Sequence, residues 1–123
     1  RISYDGTFFN GWQTQKEGRT VQQTLEKALS DIAKRQIPVV GSGRTDAGVH
    51  ALRQYAHFDF PVQMTPTQIV SATRSKLPPD ISVTNIFPVK NEFHARYDAF
   101  QRKYLYFITK NLSPFNRFYR TSF

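Results

Sequence analysis

The sequence predicts an α+β fold, with two amphipathic helices packed on one face of a mainly antiparallel sheet. Three observations predict it. Two segments, opening at Thr20 and Thr65, carry helix-capping residues followed by apolar positions at helical spacing. Strand-like runs lie before, between and after them. Hydrophobic residues make up 39% and aromatics 15% of the 123 residues, which suits one domain with a core and not a disordered chain.

Taken in order, Arg1 to Asp5 reads as a short strand ending in the turn dipeptide "DG". "TFFNGWQTQKEGR" follows as a loop. Thr20, with Gln23 three residues on, matches a capping box. Val21, Leu25, Ala28, Leu29 and Ile32 then share one helix face, and the helix is expected to end near Arg35, before Pro38. Pro38 to Val40 is a candidate short strand. From Leu52 to Phe60 the pattern alternates, with Ala56, Phe58 and Phe60 on one side and Arg53, Tyr55, His57 and Asp59 on the other.

Thr65, Pro66 and Gln68 open the second helix, and Ile69, Ala72, Thr73 and Leu77 form its less polar side. "LPPD" ends it. Ile81 to Val89 is rich in β-branched residues and reads as a strand. "KNEFHARYDAFQR" is part strand, part loop, and Lys103 to Thr109, "KYLYFIT", reads as a strand. Two helices interleaved with four or more strands give a ferredoxin-like plait of the RRM type, one sheet face covered and the other open.

Composition bounds the function. There are 17 Lys and Arg against 9 Asp and Glu, a formal charge of +8. Such an excess favours an anionic partner, and nucleic acid is the commonest; a merely basic surface is the plainer alternative. With no cysteine, disulfides, thiolate catalysis and sulfur-ligated zinc are excluded. No apolar run is long enough to span a membrane, so no membrane partner is expected. The opening "RISYDG" is neither a Met start nor a signal peptide, and the chain is expected to be a cytoplasmic piece of a longer protein.

The stretch that carries chemistry is "GSGRTDAGVHA", Gly41 to Ala51. Its glycines allow tight turns or close backbone approach. Asp46 is its only acid, with Arg44 two positions before and His50 four after. Asp46 suits a nucleophile or base, or a turn cap; Arg44 suits a phosphate or a base edge. The loop lacks the Gly-Lys-Ser/Thr ending of a phosphate-binding loop and the glycine spacing of a dinucleotide fingerprint. His50, His57 and His94 are too scattered to make a metal site, and no metal or cofactor is expected.

"GRTDAGVHA" closely resembles the signature of the TruA-type tRNA pseudouridine synthases. Other segments agree in the expected order: "YDGT" and "GWQ", "TVQQTLEKAL", "LPPDI", "FHARYDA" and "RKYLYFI". The resemblance covers nearly the whole chain. It implies isomerisation of uridine to pseudouridine at the three-prime side of the anticodon stem-loop of tRNA. It also implies a homodimer whose subunits each hold two related α+β domains around a cleft. The chain, residues 1–123, corresponds to the first of those domains, and the second is not matched.

The resemblance assigns roles residue by residue. Asp46 corresponds to the catalytic carboxylate. Arg44 corresponds to the motif arginine that stabilises the flipped-out nucleotide; an Arg44–Asp46 pair that orders the loop is the structural alternative. Tyr104 corresponds to the tyrosine that lies against the target uracil, and a core aromatic is its alternative. His94 and Arg96 are candidates for RNA contact or loop support, His50 for shaping the loop, and Asp5 and Gly6 for the site floor. Arg53, Lys90, Arg102 and Lys103 are candidate phosphate contacts.

Three other readings compete. One is an RNA-binding module without catalysis. Another is a protein-interaction domain using Phe8, Phe9, Phe115, Phe118 and Tyr119. A third, a nuclease built on Asp5, Asp46 and Asp59, is the weakest, because the three carboxylates lack a recurring spacing.

Overall fold

The computed structural model describes residues 1–122. Strand β1 (Ile2–Tyr4) runs into a single 3-10 turn at Gly6–Phe8. Helix α1 (Val21–Ala33) and three short strands follow: β2 (Val40–Gly41), β3 (Ala51–Gln54) and β4 (Ala56–His57). Helix α2 (Pro66–Lys76) and β5 (Ile81–Val83) come next, then β6 (Ile108–Thr109) and β7 (Thr121–Ser122). The strands form an antiparallel sheet in the order β3-β1-β5, an antiparallel pair β2-β4 and a parallel pair β6-β7. The architecture is mixed α/β, with two helices and antiparallel sheets.

Alternation on β1 and β5 sets the core. Ile2, Tyr4, Ile81 and Val83 are buried together with Val21, Leu25 and Leu29 of α1 and Ile69 of α2. Each such side chain gains about 1.5–3 kcal/mol on burial, against about 1 kcal/mol for a ladder hydrogen bond. The apolar face therefore fixes the register, since a one-residue slip would turn it to solvent.

Both helix caps form. Thr65 Oγ1 accepts from Gln68 N at 3.2 Å, and Gln68 Oε1 accepts from Thr65 N at 2.9 Å, completing a capping box. At α1, Thr20 Oγ1 accepts from Gln23 N at 3.3 Å, but the expected return bond from the Gln23 side chain is not present among the described residues. The N–H groups of Val21 and Gln22 donate to the carbonyls of Gly11 and Trp12, at 3.2 and 2.9 Å. The preceding loop thus satisfies helix donors that would otherwise need water.

Several expected strands are shorter. The run Leu52 to Phe60 divides at Tyr55: β3 pairs with β1, whereas β4 pairs with β2. A bulge in the β1–β3 ladder, where Ile2 faces Gln54 and Tyr4 faces Ala51, bends the chain before that break. The predicted Pro38–Val40 strand is displaced to Val40–Gly41. The predicted Ile81–Val89 strand stops at Val83, where Thr84 N and Asn85 N both turn to the Arg1 carbonyl and the ladder closes.

The largest correction concerns Lys103–Thr109, of which only Ile108–Thr109 is strand. Tyr104, Leu105, Tyr106 and Phe107 are all exposed, so both sides of the run face solvent and no buried face holds it in a ladder. Among the described residues, only the end of the run finds a ladder partner, in β7.

Candidate active site

The glycine loop runs from β2 to β3 and is held at both flanks. On the entry side, Ser42 N donates to the Tyr55 carbonyl at 2.8 Å. Ser42 Oγ donates to Gln54 Oε1 at 2.9 Å, and Gln54 Nε2 donates to the Gly43 carbonyl at 2.7 Å. Arg102 also donates to the Ser42 carbonyl. In the middle, Thr45 is fixed from two sides: its carbonyl accepts from Trp12 N at 2.9 Å, and its hydroxyl lies 2.9 Å from Tyr4 Oη. Past the turn, Val49 N donates to the Asp46 carbonyl at 3.1 Å and Gly48 N to the Phe9 carbonyl at 3.2 Å.

Between these anchors, Arg44 and Asp46 are exposed. No ion pair joins them among the described residues, so the structural alternative for the pair is not what the chain adopts. The backbone is fixed while both charged side chains remain available to a ligand.

Two glycines outside the loop explain why "YDGT" and "GWQ" accompany it. A Cβ at Gly6 would fall 1.9 Å from the Val49 carbonyl oxygen. At Gly11, with φ of +81°, a Cβ would fall 2.7 Å from the Thr45 carbonyl oxygen. Backbone meets backbone at both places, which only glycine permits. Trp12, 2% exposed and near Tyr4, anchors the second of these segments in the core. "LPPD" joins the same assembly, since Asp80 receives both guanidinium nitrogens of Arg19, at 2.6 and 2.8 Å. Arg19 in turn lies over the Phe9 ring.

His50 closes the exit. Its Nδ1 accepts from Gly6 N at 2.9 Å, so its Nε2 carries the proton and donates to the Phe118 carbonyl at 2.7 Å. Nδ1 also lies 3.1 Å from Asp5 Oδ1. With the Gly6 N–H pointing at that nitrogen, the contact is not an ion pair while the ring is neutral. Partial burial pushes the Asp5 carboxyl up, but hydrogen bonds from the Thr7 side chain, Tyr119 and the Thr7 backbone outweigh it. With the neighbouring His50 they hold it at about 2. The Tyr119 phenol is pushed up by the bond it donates to Asp5.

The remaining candidates divide into groups. His94 and Arg96 belong to a turn docked on β4, where Ala95 N donates to His57 Nδ1 at 2.9 Å. His94 stacks on Tyr97, its ring 4.8 Å from that of His57, and its Nδ1 accepts from the backbone of Arg96 and Tyr97. Burial, then the charge of His94, holds His57 below its ordinary value, with Asp59 and Asp98 opposing. Arg102 reaches the glycine loop. Arg53, Lys90 and Lys103 are exposed. Tyr104, 69% exposed, enters no hydrogen bond or aromatic pair among the described residues.

Asp5, Asp46 and Asp59 do not assemble: no group of three or more potential metal-ligating residues occurs among the described residues. A cleft of about 270 Å³ between α1 and the end of α2, lined by Lys27, Asp31 and Lys76 among others, shares no residue with the glycine loop. No helix among the described residues is long and apolar enough to cross a membrane.

Gln54, Tyr4 and Thr45 are loop-holding residues that the motif reading passes over. The signal for Gln54 is an uncharged side chain with both a donor and an acceptor, one strand-length after a glycine loop.

The structure thus presents an exposed arginine and an exposed aspartate on a clamped loop of a basic α/β scaffold. The description "tRNA pseudouridine synthase" matches residues 2–98, and the chain belongs to that family. It is 47% identical over 119 residues to tRNA pseudouridine synthase A of Bacteroides thetaiotaomicron, covering 97% of this chain and 44% of that protein. Against the proteins of the same name from Limosilactobacillus reuteri and Shouchella clausii, identity is 48% in each case. Coverage is 99% and 100% of this chain, and 50% and 47% of theirs. The chain spans about half the length of the curated relatives it matches.

Proposed function

We propose that this chain carries the catalytic carboxylate, Asp46, of a uridine-to-pseudouridine isomerase acting on tRNA. One observation carries the reading: the backbone around Asp46 is fixed at Thr45, Val49 and Gly48, while the carboxylate itself is exposed. Isomerisation breaks the bond from the ribose to uracil N1 and forms one to C5. C5 loses a proton and N1 gains one, so composition is unchanged. A positioned carboxylate suits this chemistry.

In this reading Arg44 stabilises the extruded nucleotide, which offsets an unstacking cost of about a few kcal/mol. Tyr104 stacks on the uracil, and its exposure fits a ring that waits for a base. Arg53, Lys90, Arg102 and Lys103 contact phosphates, and His94 and Arg96 support the RNA or the adjoining turn. The finer arrangement belongs to the same proposal: a ferredoxin-like plait, a second α+β domain closing the cleft, a homodimer, and uridines at the three-prime side of the anticodon stem-loop.

The test is pseudouridine formation in unmodified tRNA. The chain is compared with a version extended to the length of its curated relatives, each with and without Asp46→Ala. Product that disappears with Asp46→Ala while tRNA binding persists supports the proposal. Turnover that survives the substitution removes the role of Asp46. Binding without product in either length, with folding verified, favours the non-catalytic RNA-binding reading.

A further inference from the structure

We infer that Gln54 is a positioning residue for the Asp46 loop, acting through Ser42 and Gly43. The inference rests on the reading of Asp46 as the catalytic carboxylate. Gln54 lies on β3 opposite Ile2, so its backbone belongs to the central sheet and not to the loop. Its side chain spends both polar ends on two consecutive loop residues. The Gly43 carbonyl can only accept, so the amide nitrogen must face it, and the amide oxygen is left for the Ser42 hydroxyl. The glutamine amide carries a donor and an acceptor at a spacing that meets both at once.

The position of this bridge matters. Gly43 is followed directly by Arg44, Thr45 and Asp46. Downstream, Thr45 is held by Tyr4 and Trp12. Upstream, apart from the short β2–β4 ladder and the Ser42–Tyr55 backbone bond, the loop is held by Gln54 and Arg102. Arg102 comes from a segment without regular structure, whereas Gln54 comes from a sheet strand. Gln54 is therefore the rigid side-chain brace of the entry arm. Losing it frees the start of the loop to shift while the far end stays fixed, and a misplacement of about 1 Å can cost about a hundredfold in rate.

The experiment uses the extended, catalytically competent protein with Gln54→Met, Gln54→Glu and Ser42→Ala. Met keeps the length and removes both bonds. Glu keeps the acceptor but sets a carboxylate oxygen against the Gly43 carbonyl. Ser42→Ala removes one bond at a half-buried site and provides a variant expected to fold. The expected result is a fall in kcat of about 10- to 100-fold for both Gln54 variants, with tRNA Kd changed less than about twofold. The loss for Ser42→Ala is smaller, and Ser42→Ala adds little on top of Gln54→Met.

Amide exchange over residues 42–46 should quicken in Gln54→Met while α1 keeps its protection. That readout does not depend on turnover, so it separates this inference from the assignment of Asp46, which Asp46→Ala tests alone. Wild-type exchange in the loop, or kcat kept within about twofold, would overturn the role of Gln54. So would a loss confined to thermal stability.

Discussion

The position that a Cβ would occupy at Gly6 lies 1.9 Å from the carbonyl oxygen of Val49. The turn after β1 and the exit of the glycine loop therefore touch backbone to backbone. Gly6→Ala must push the loop away, because the obstacle is main chain and cannot rotate aside. Overpacking of this kind costs about 1–3 kcal/mol and sometimes more. Urea denaturation should show a lower midpoint for Gly6→Ala, and the amide signals of residues 46–50 should shift well beyond those of α2. An unchanged midpoint would show that the two segments are not in contact.

A second contact joins distant parts of the chain: Tyr119 Oη donates to Asp5 Oδ2 at 2.5 Å, and the Asp5 carboxyl is held at about 2. Its folded pKa lies below the ordinary 3.8, so its stabilising effect is fully present above about 3.8 and is lost as pH falls toward about 2. Wild type should melt above Tyr119→Phe at pH 6. The difference should shrink below about pH 3.8 and be largely lost as pH falls through about 2. A gap that persists undiminished at pH 2 would assign the effect to ring packing on His50 and not to the carboxylate.

His57 titrates with the opposite chemistry but the same sign. Burial lowers its folded pKa below 6.5, so a neutral ring stabilises the fold above about 6.5, and that contribution is lost as pH falls through the lowered value. Protonation at Nδ1 also removes the acceptor for Ala95 N. The Ala95 amide resonance should move in the acid direction of this titration, with residues 93–98 exchanging faster. His57→Asn keeps an acceptor that cannot titrate, and the transition should be absent from it. A transition retained in His57→Asn would remove His57 as its source.

Capping at α2 can be tested without touching the site. Thr65 and Gln68 exchange side-chain-to-backbone bonds at the first turn. Thr65→Ala should lower unfolding free energy by about 1 kcal/mol. The same assay on Thr65→Ser should give nearly the wild-type value, since the hydroxyl remains.

Much of this protein was legible in residue order. Caps at Thr20 and Thr65, apolar spacing along both helices and the short strand from Arg1 to Asp5 are local, and local sterics and solvent decide them. The resemblance carried by "GRTDAGVHA" and its companions likewise named the family, because those segments fall along the chain in the family's order.

Tertiary structure decided what those residues touch. Both Lys103–Thr109 and Ala56–Phe60 read as strand in the sequence. Yet Phe58 and Phe60 pack against the core, while Tyr104, Leu105 and Tyr106 remain in solvent. Periodicity records which side chains share a face, not whether anything covers it. In the same way, no spacing rule brings Gln54 to Gly43, Tyr4 to Thr45 or Gly6 to Val49. Those contacts depend on two segments meeting in space, and the free energy that brings them together is core burial elsewhere in the fold. The sequence determined the helices, the family and the chemical character of the loop. Only the folded chain determined which atoms hold that loop in place, because a hydrogen bond needs a partner at a distance and direction that chain order does not encode.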